Sequence, residues 1–240
     1  MTKIFRCGGG TYRRNKWLAV AVALVMLVLG SASLTGCSKP FSCLDVLSTE
    51  APADADGSAE AEQEGAQELP SQEEMAAVID GMVEEWYSSH IHFYTPQLQR
   101  LWRIFTYVHE TMTYVEAPDT SELEGAYIAF TTHKSDCFGY FTMSKCLLAR
   151  CGFETLDVER EGGIAKHFWL LVNYYGQWYH FDPICQRADY DDPYWYCFLR
   201  TDEEVADFTV RLGHDREFYT YDHTGYPEVA KTPLNIKYGR

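Results

Sequence analysis

The sequence lacks an excess of positive charge. Lys and Arg together total 20 residues against 35 Asp and Glu, and the formal net charge is −15. Because proteins bind phosphate backbones through clustered basic side chains, this balance argues against a nucleic-acid partner. The apolar content of 46% and the aromatic content of 15% are sufficient for a folded core and exclude a wholly disordered chain.

The apolar run near the N-terminus is too short to span a bilayer comfortably. Residues 18–29 are twelve apolar residues, whereas a spanning helix needs about 20. Residues 1–36 hold five basic residues and no acidic one, which is typical of a signal peptide. Leu34-Thr35-Gly36-Cys37 then resembles a bacterial lipobox, in which the cysteine is lipidated and becomes the mature N-terminus.

We therefore expect residues 1–36 to be a lipoprotein signal peptide, with Cys37 as the lipidation site. The lipid would hold the protein at the extracytoplasmic face of the cell membrane. An ordinary signal peptide or an uncleaved anchor is the alternative, and either would still export the domain.

Basic residues are absent from the next part of the chain. Between Glu50 and Glu74 there are nine acids and no base. Such a segment repels itself and buries little apolar surface, so it favours a solvated linker over a folded element. The sequence predicts an acidic disordered tether at residues 37–69 and one folded domain at residues 70–240.

The cysteines show no C-x-x-C motif, which leaves a zinc ribbon or a thioredoxin-like site unsupported. Export would permit disulfides, but the spacing does not define a pairing. Six cysteines follow the lipobox: Cys43, Cys137, Cys146, Cys151, Cys185 and Cys197. In helical stretches, such residues also serve as small apolar core residues.

The domain pattern begins with helices and ends with strands. Ser71 and Glu74 have capping-box spacing, and a second box at Ser121 predicts a short helix to about residue 130. Strands are predicted at residues 155–160, 167–172 and 177–181. A four-residue connection at 173–176 would pair Val172 with Gln177.

That hairpin register has a consequence for two polar residues. It would place His167 directly opposite Asp182, on one face of the hairpin. A shift of one residue would put them on opposite faces. His180 is predicted to point away from the Asp182 side.

Cys137 is predicted in the first turn of a buried helix that ends near Gly152, with Ser135 or Asp136 as the N-cap. A cysteine at a helix N-terminus beside a histidine and an aspartate suits thiol acyl transfer. The helix dipole and the imidazolium stabilise a thiolate nucleophile. The histidine moves the proton, and the aspartate fixes the histidine tautomer.

Three short motifs resemble the transglutaminase-like superfamily: Cys137-Phe138-Gly139-Tyr140, His167-Phe168-Trp169 and the run from Gly176 to Pro183. Family members show C-x-G-Y, H-x-W and G-x-W-Y-x-x-D-P in this order, and the resemblance covers residues 97–204. It implies a papain-like α+β core, in which the nucleophile helix packs against an antiparallel sheet. Carried over by position, Cys137 is the nucleophile, His167 the base and Asp182 the orienting acid.

The resemblance implies an enzyme that works without a metal or cofactor on amide bonds of a protein or peptide, here one associated with the cell wall or surface. The acceptor would be water, as in a cysteine peptidase, or an amine, as in a crosslinking transglutaminase. A catalytically inactive binding module of the cell envelope is the alternative.

Two features of the sequence depart from the family pattern or leave it incomplete. Asp136 places a carboxylate directly before the nucleophile, where it would oppose thiolate formation unless it caps the helix. No side chain is identified as the oxyanion donor, and Tyr127 and His133 are the candidates.

Overall fold

The chain folds into helices packed against an antiparallel sheet, so it belongs to the predicted α+β class. The computed structural model describes residues 41–50, 69–163, 166–184, 197–211 and 216–236. The helices are α1 (Gln72–His90), α2 (Gln97–Thr111), α3 (Glu122–Thr132), α4 (Cys137–Arg150) and α5 (Asp202–Arg211). The strands are β1 (Thr113–Tyr114), β2 (Lys134–Ser135), β3 (Thr155–Glu159), β4 (Phe168–Tyr174), β5 (Gln177–Phe181) and β6 (Phe198–Arg200). Short 3-10 helices lie at Cys43–Asp45 and Arg216–Tyr219.

Helix α4 lies at the centre of the fold. Eleven of its 14 residues are buried, which leaves it no solvent-facing stripe. Helices α1, α2 and α3 pack against it, and strands β3 and β4 contact it from the sheet. The N-terminus of this helix, where Cys137 lies, is therefore held on several sides.

The helix starts follow local capping chemistry. Ser71 and Glu74 form a capping box at the start of α1, and Ser121 and Glu124 form one at the start of α3, as predicted. In each box the serine hydroxyl accepts a bond from the glutamate N–H, and the glutamate side chain accepts one from the serine N–H. Two N–H groups that a helix start leaves unpaired are thereby satisfied.

The β4–β5 hairpin differs from the predicted register by two residues. Val172 pairs with Tyr179, and Tyr174 pairs with Gln177. The predicted four-residue connection is wrong because the turn contains only Tyr175 and Gly176, whose φ angles are 53° and 81°. Two successive left-handed residues give the tight turn that matches strand twist. A shift of two residues conserves the faces of the hairpin, whereas a shift of one would reverse them.

The sheet β3–β6 is covered on both faces. Successive side chains of β4 point to opposite faces of the sheet. Leu170 and Val172 belong to the core that faces the helices, whereas Trp169 and Leu171 belong to a second core. The second core is completed by residues of α5 and of the segment that follows it. The hairpin end that carries His167 and Asp182 is thus packed from both sides.

Residues 41–50 correct the predicted domain boundary, because they pack on the domain instead of continuing the tether. Cys43 is fully buried, its N–H donates to Asp80 Oδ1 at 2.7 Å, and Leu47 is also buried. The Leu123 N–H donates to the Ser48 carbonyl at 3.1 Å. The compact unit therefore begins at Phe41, since the apolar residues before Glu50 can be buried although the acidic stretch after it cannot.

The predicted signal peptide, the predicted lipidation site Cys37 and residues 51–68 of the predicted tether lie outside the described residues. Within the described part of the chain, no helix is both long enough and apolar enough to cross a membrane.

Candidate active site

Cys137 is the first residue of α4, as the sequence predicts. The Asp136 carboxylate caps the helix by accepting a hydrogen bond from the Phe138 N–H at 3.0 Å. Burial raises the pKa of Asp136, although the bonds it accepts from the helix N–H groups lower it. The side chain that the sequence marks as an obstacle to thiolate formation therefore serves as the helix cap.

A small parallel ladder fixes the approach to the nucleophile. Tyr114 pairs with Ser135 across β1 and β2, and the Val115 N–H donates to the Ser135 carbonyl at 3.0 Å. This ladder precedes α4 directly, so it holds the backbone that leads into Cys137. The Cys137 side chain is 7% exposed, and its Sγ donates to the Lys166 carbonyl at 3.8 Å.

His167 and Asp182 meet at the open end of the β4–β5 hairpin. They are not directly opposite each other, because the observed register, when extended, places Trp169 across from Asp182. They do share one face, and His167 Nε2 lies 2.8 Å from Asp182 Oδ2. Both side chains are buried. The bond to Asp182 leaves His167 Nδ1 clear of that carboxylate, and Cys137 is near enough to contribute to raising the pKa of His167.

The charge on His167 is set by opposing effects. Burial disfavours the imidazolium, but the Asp182 carboxylate and the neighbouring Cys137 side chain outweigh it and raise the pKa of His167 from 6.5 to about 9. His167 is therefore protonated at neutral pH in this arrangement. A cation beside a thiol stabilises the thiolate form of that thiol.

Tyr219 completes the support of Asp182 and was not predicted. Its hydroxyl donates to Asp182 Oδ2 at 2.7 Å, the oxygen that also bonds His167, while the Ile184 N–H donates to Oδ1 at 3.1 Å. Three donors thus fix the carboxylate. Tyr219 is 37 residues from Asp182 in the chain, and the only sequence signal for it is the aromatic run at residues 218–221.

A second histidine–aspartate pair supports the first from behind. The Trp169 ring stacks on His167 at 5.6 Å between centroids, and its Nε1–H donates to His180 Nδ1 at 2.9 Å. His180 Nε2 in turn lies 2.8 Å from Asp202 Oδ1. The prediction that His180 points away from Asp182 is wrong, because residues two apart in a strand share a face.

Cys137 opens on a groove of about 210 Å³. Tyr114, Phe138 and Phe168 supply its aromatic walls, and Asp119 and Lys166 lie on it with their charged groups 3.7 Å apart. Neither Tyr127 nor His133, the predicted oxyanion candidates, lines the groove. Tyr114 is close enough for the Cys137 charge to contribute to raising its pKa, after burial. Tyr114 therefore lies beside Cys137 in the groove, where neither predicted candidate lies.

The remaining described cysteines have no such surroundings. All five cysteines in the described ranges, Cys43, Cys137, Cys146, Cys151 and Cys197, are free of disulfides. Burial raises the pKa of Cys43 and Cys151 to about 12, and it raises those of Cys146 and Cys197 well above the usual value. These four thiols are therefore held protonated. No group of three or more histidine, cysteine or acidic side chains suited to a metal ion occurs among the described residues.

The raised pKa of His167 predicts a pH-dependent stability. The folded state binds this proton more tightly than the unfolded state, so unfolding releases it between pH 6.5 and about 9. The stabilisation is complete below pH 6.5 and is lost as the pH rises to 9; it amounts to at most about 3 kcal/mol. We expect urea unfolding to show Cys137→Ser, which lacks the neighbouring thiol, losing more free energy of unfolding over this range than Cys137→Ser/His167→Gln.

Both of these proteins lack the Cys137 thiol, so its ionisation does not contribute to the difference between them. The other thiols of the unfolded chain ionise near pH 8.5 in both proteins alike. Parallel stability curves for Cys137→Ser and Cys137→Ser/His167→Gln would show that His167 is not held protonated by Asp182.

Comparisons with known proteins give a weak structural similarity and no sequence match. No family model matches the chain, and no curated protein matches it. A solved structure described as "Crystal structure of a TGase" is similar over 53% of this chain and 38% of that one, with 15% sequence identity and a TM-score of 0.37. The chain thus matches well under half the length of that protein.

Proposed function

We propose that the protein is a transglutaminase-like thiol enzyme that cleaves or transfers amide-bonded acyl groups of proteins or peptides. The observation that carries the proposal is the grouping of Cys137, His167 and Asp182, in which a buried imidazole bonds a carboxylate at 2.8 Å and lies close enough to the thiol to be affected by it. If Cys137 and His167 were only packed core residues, the hydrogen bond from the imidazole to Asp182 would not be required. The groove beside the thiol would not be required either.

The reaction proceeds in two halves. Cys137 Sγ attacks the substrate carbonyl while His167 holds the proton that the thiol has given up. The C–N bond then breaks, the leaving amine takes the proton from His167, and an acyl thioester remains on Cys137. Water or a second amine attacks the thioester, gives its proton to His167, and the thiol is restored as the acyl group leaves.

The developing oxyanion needs donors on the groove side of Cys137. The Cys137 N–H belongs to the first turn of α4, whose N–H groups have no partner within the helix. Tyr114 lines the same groove, and in this proposal its hydroxyl is the second donor. Water is the simpler acceptor because it needs no further pocket, so hydrolysis is favoured over crosslinking.

The test is the reactivity of Cys137. We expect iodoacetamide to modify Cys137 of the folded protein at pH 6 much faster than the same thiol in the urea-unfolded chain, whose ordinary pKa is about 8.5. His167→Ala should slow the reaction at pH 6, since the stabilising imidazolium is lost. Peptide mass spectrometry follows the time course, with buried Cys151 as the internal comparison.

A Cys137 rate that rises only near pH 8.5 and does not respond to His167→Ala would favour the inactive binding module. If the thiol is activated, incubation of surface proteins with wild type and Cys137→Ala identifies the products. Mass spectrometry then separates hydrolysis from crosslinking by the mass change.

The location is part of the proposal. The twelve apolar residues 18–29 followed by Leu34-Thr35-Gly36-Cys37 favour a diacyl or triacyl anchor at Cys37, and two chains suffice for stable attachment. Cys37→Ala should move the protein from the membrane fraction to the soluble fraction. A wild-type protein without lipid by intact mass, together with a Cys37→Ala variant still in membranes, would contradict the anchor.

A further inference from the structure

A second cavity adjoins the groove at Cys137. This cavity, here called the side pocket, has a volume of about 460 Å³ and is lined by Glu50, Phe138, Phe141, Glu159, Phe168 and Tyr226, with further residues. It shares Phe138 and Phe168 with the groove. These residues directly follow Cys137 and His167 in the sequence, so a peptide whose carbonyl lies at Cys137 can place a neighbouring side chain in the side pocket.

The floor of the side pocket is aromatic. Phe138 and Phe168 meet edge to face at 5.0 Å between ring centroids, and Phe141 lies 5.7 Å from Phe138. Tyr226 is fixed at the rim because its hydroxyl donates to the Asp157 carbonyl at 2.7 Å. Such ring faces accept the methylene stem of a long side chain and attract a cation.

The charges around the side pocket are acidic. Glu122 and Asp157 share the buried Lys145 ammonium, which lies 2.9 Å and 2.6 Å from their oxygens. Glu50 and Glu159 also line the pocket, and in the described part of the chain neither carboxylate has an ion-pair partner. None of the lining residues, all of them described, is basic.

Strand geometry explains why Glu159 faces this cavity. Glu159 pairs with Phe168 across β3 and β4, and cross-strand partners share a face of the sheet. Glu50 comes from the N-terminal segment 41–50, which packs beside the start of α3 through the bond between Ser48 and Leu123. The two free carboxylates therefore come from different walls of one aromatic pocket.

We propose that the side pocket binds a lysine or arginine side chain of the substrate, close to the carbonyl that Cys137 attacks. The inference rests on the proposed function. The stem lies on the phenylalanine rings, and the cationic head lies between Glu50 and Glu159. The side chain is a recognition element and does not react. The chain's own residues 51–68 do not suit the pocket, because they contain six acids and no base.

The test uses short N-acetylated peptidyl chloromethyl ketones that differ only in the side chain next to the reactive carbon. In each, Cys137 Sγ displaces chloride and forms a thioether, and intact mass gives the second-order rate. We expect the lysine and arginine probes to react at least about tenfold faster than the norleucine probe, and the glutamate probe to react slowest. Added salt should reduce the preference.

The matched variants locate the preference. Glu50→Gln/Glu159→Gln should bring the lysine-to-norleucine rate ratio close to one. Glu73→Gln/Glu85→Gln, which removes the same charge from exposed positions on α1, should keep the ratio of the wild type. A ratio near one in the wild type, or an equal loss in both double variants, overturns the side-pocket assignment.

Different results overturn the enzyme proposal and the side-pocket proposal. If no probe modifies Cys137 faster in the wild type than in His167→Ala, the proposed thiol enzyme is wrong. If all probes modify Cys137 in a His167-dependent reaction but without charge preference, only the side-pocket proposal is wrong.

Discussion

Replacing Asp182 with alanine should reduce turnover by a factor on the order of 10² to 10⁴, whatever amide substrate is used. The carboxylate accepts the Nε2–H of His167, which leaves Nδ1 as the nitrogen that exchanges a proton with Cys137 in the proposed mechanism. Without it, the tautomer is no longer fixed and the imidazolium loses its counter-charge. The rate of Cys137 alkylation at pH 6.5 reports the same loss before a natural substrate is known.

Asp182→Asn should be less harmful than Asp182→Ala, and the hydrogen bonds show why. Two donors, His167 Nε2 and the Tyr219 hydroxyl, point at Oδ2, whereas only the Ile184 N–H points at Oδ1. An amide at this position keeps its oxygen towards the two donors and its NH₂ towards the single one. The tautomer is then retained, while the counter-charge is lost.

Tyr219→Phe is the matched control for the loss of one buried bond. It removes one donor to Asp182 and leaves the carboxylate, so we expect a rate loss of only a few fold and a loss of stability of about 1 kcal/mol. Circular dichroism should show all three variants folded. Equal alkylation rates for wild type and Asp182→Ala would remove Asp182 from the mechanism.

Local sequence signals predicted the elements that carry the site. The capping boxes at Ser71 and Ser121 mark helix starts because they are satisfied within four residues of chain. Asp136 and Cys137 were placed at the start of α4 by the same kind of signal. The alternation of residues in the hairpin put His167 and Asp182 on one face, and this conclusion survived a two-residue error in register.

Contacts between distant parts of the chain could not be read from local patterns. Tyr219 bonds Asp182 across 37 residues, and Cys43 bonds Asp80 across the same distance in sequence. The acidic composition after Glu50 favours a tether for the whole stretch, including the apolar residues before Glu50. The sequence therefore predicts the start of the domain at residue 70, whereas the compact unit begins at Phe41. Tyr114 was missed because it lies beside Cys137 only through the pairing of β1 with β2.

Replacing Gly139 with alanine should disrupt the nucleophile helix. A Cβ at this position would overlap the Cβ and Oγ of Ser135. Ser135 cannot move away easily, because it is 4% exposed and is held by its pairing with Tyr114 in the β1–β2 ladder. The start of α4 must shift instead, and Cys137 moves with it. We expect a loss of about 3 kcal/mol in the free energy of unfolding and a strongly reduced alkylation rate at pH 6.

Two further variants separate this clash from a general effect of alanine. Gly81→Ala lies in the middle of α1, where an added Cβ meets nothing within 4 Å, so it should stabilise the protein by about 0.5–1 kcal/mol through helix propensity. Ser135→Gly removes the two atoms that the new Cβ would overlap and leaves only the Ala129 Cβ at 3.4 Å, so adding Gly139→Ala to it should cost far less than in the wild type. This non-additivity is measured by a double-mutant cycle in urea. Additive losses would mean that Gly139 is required for a reason other than its close approach to Ser135, and that the ladder does not fix the position of Cys137.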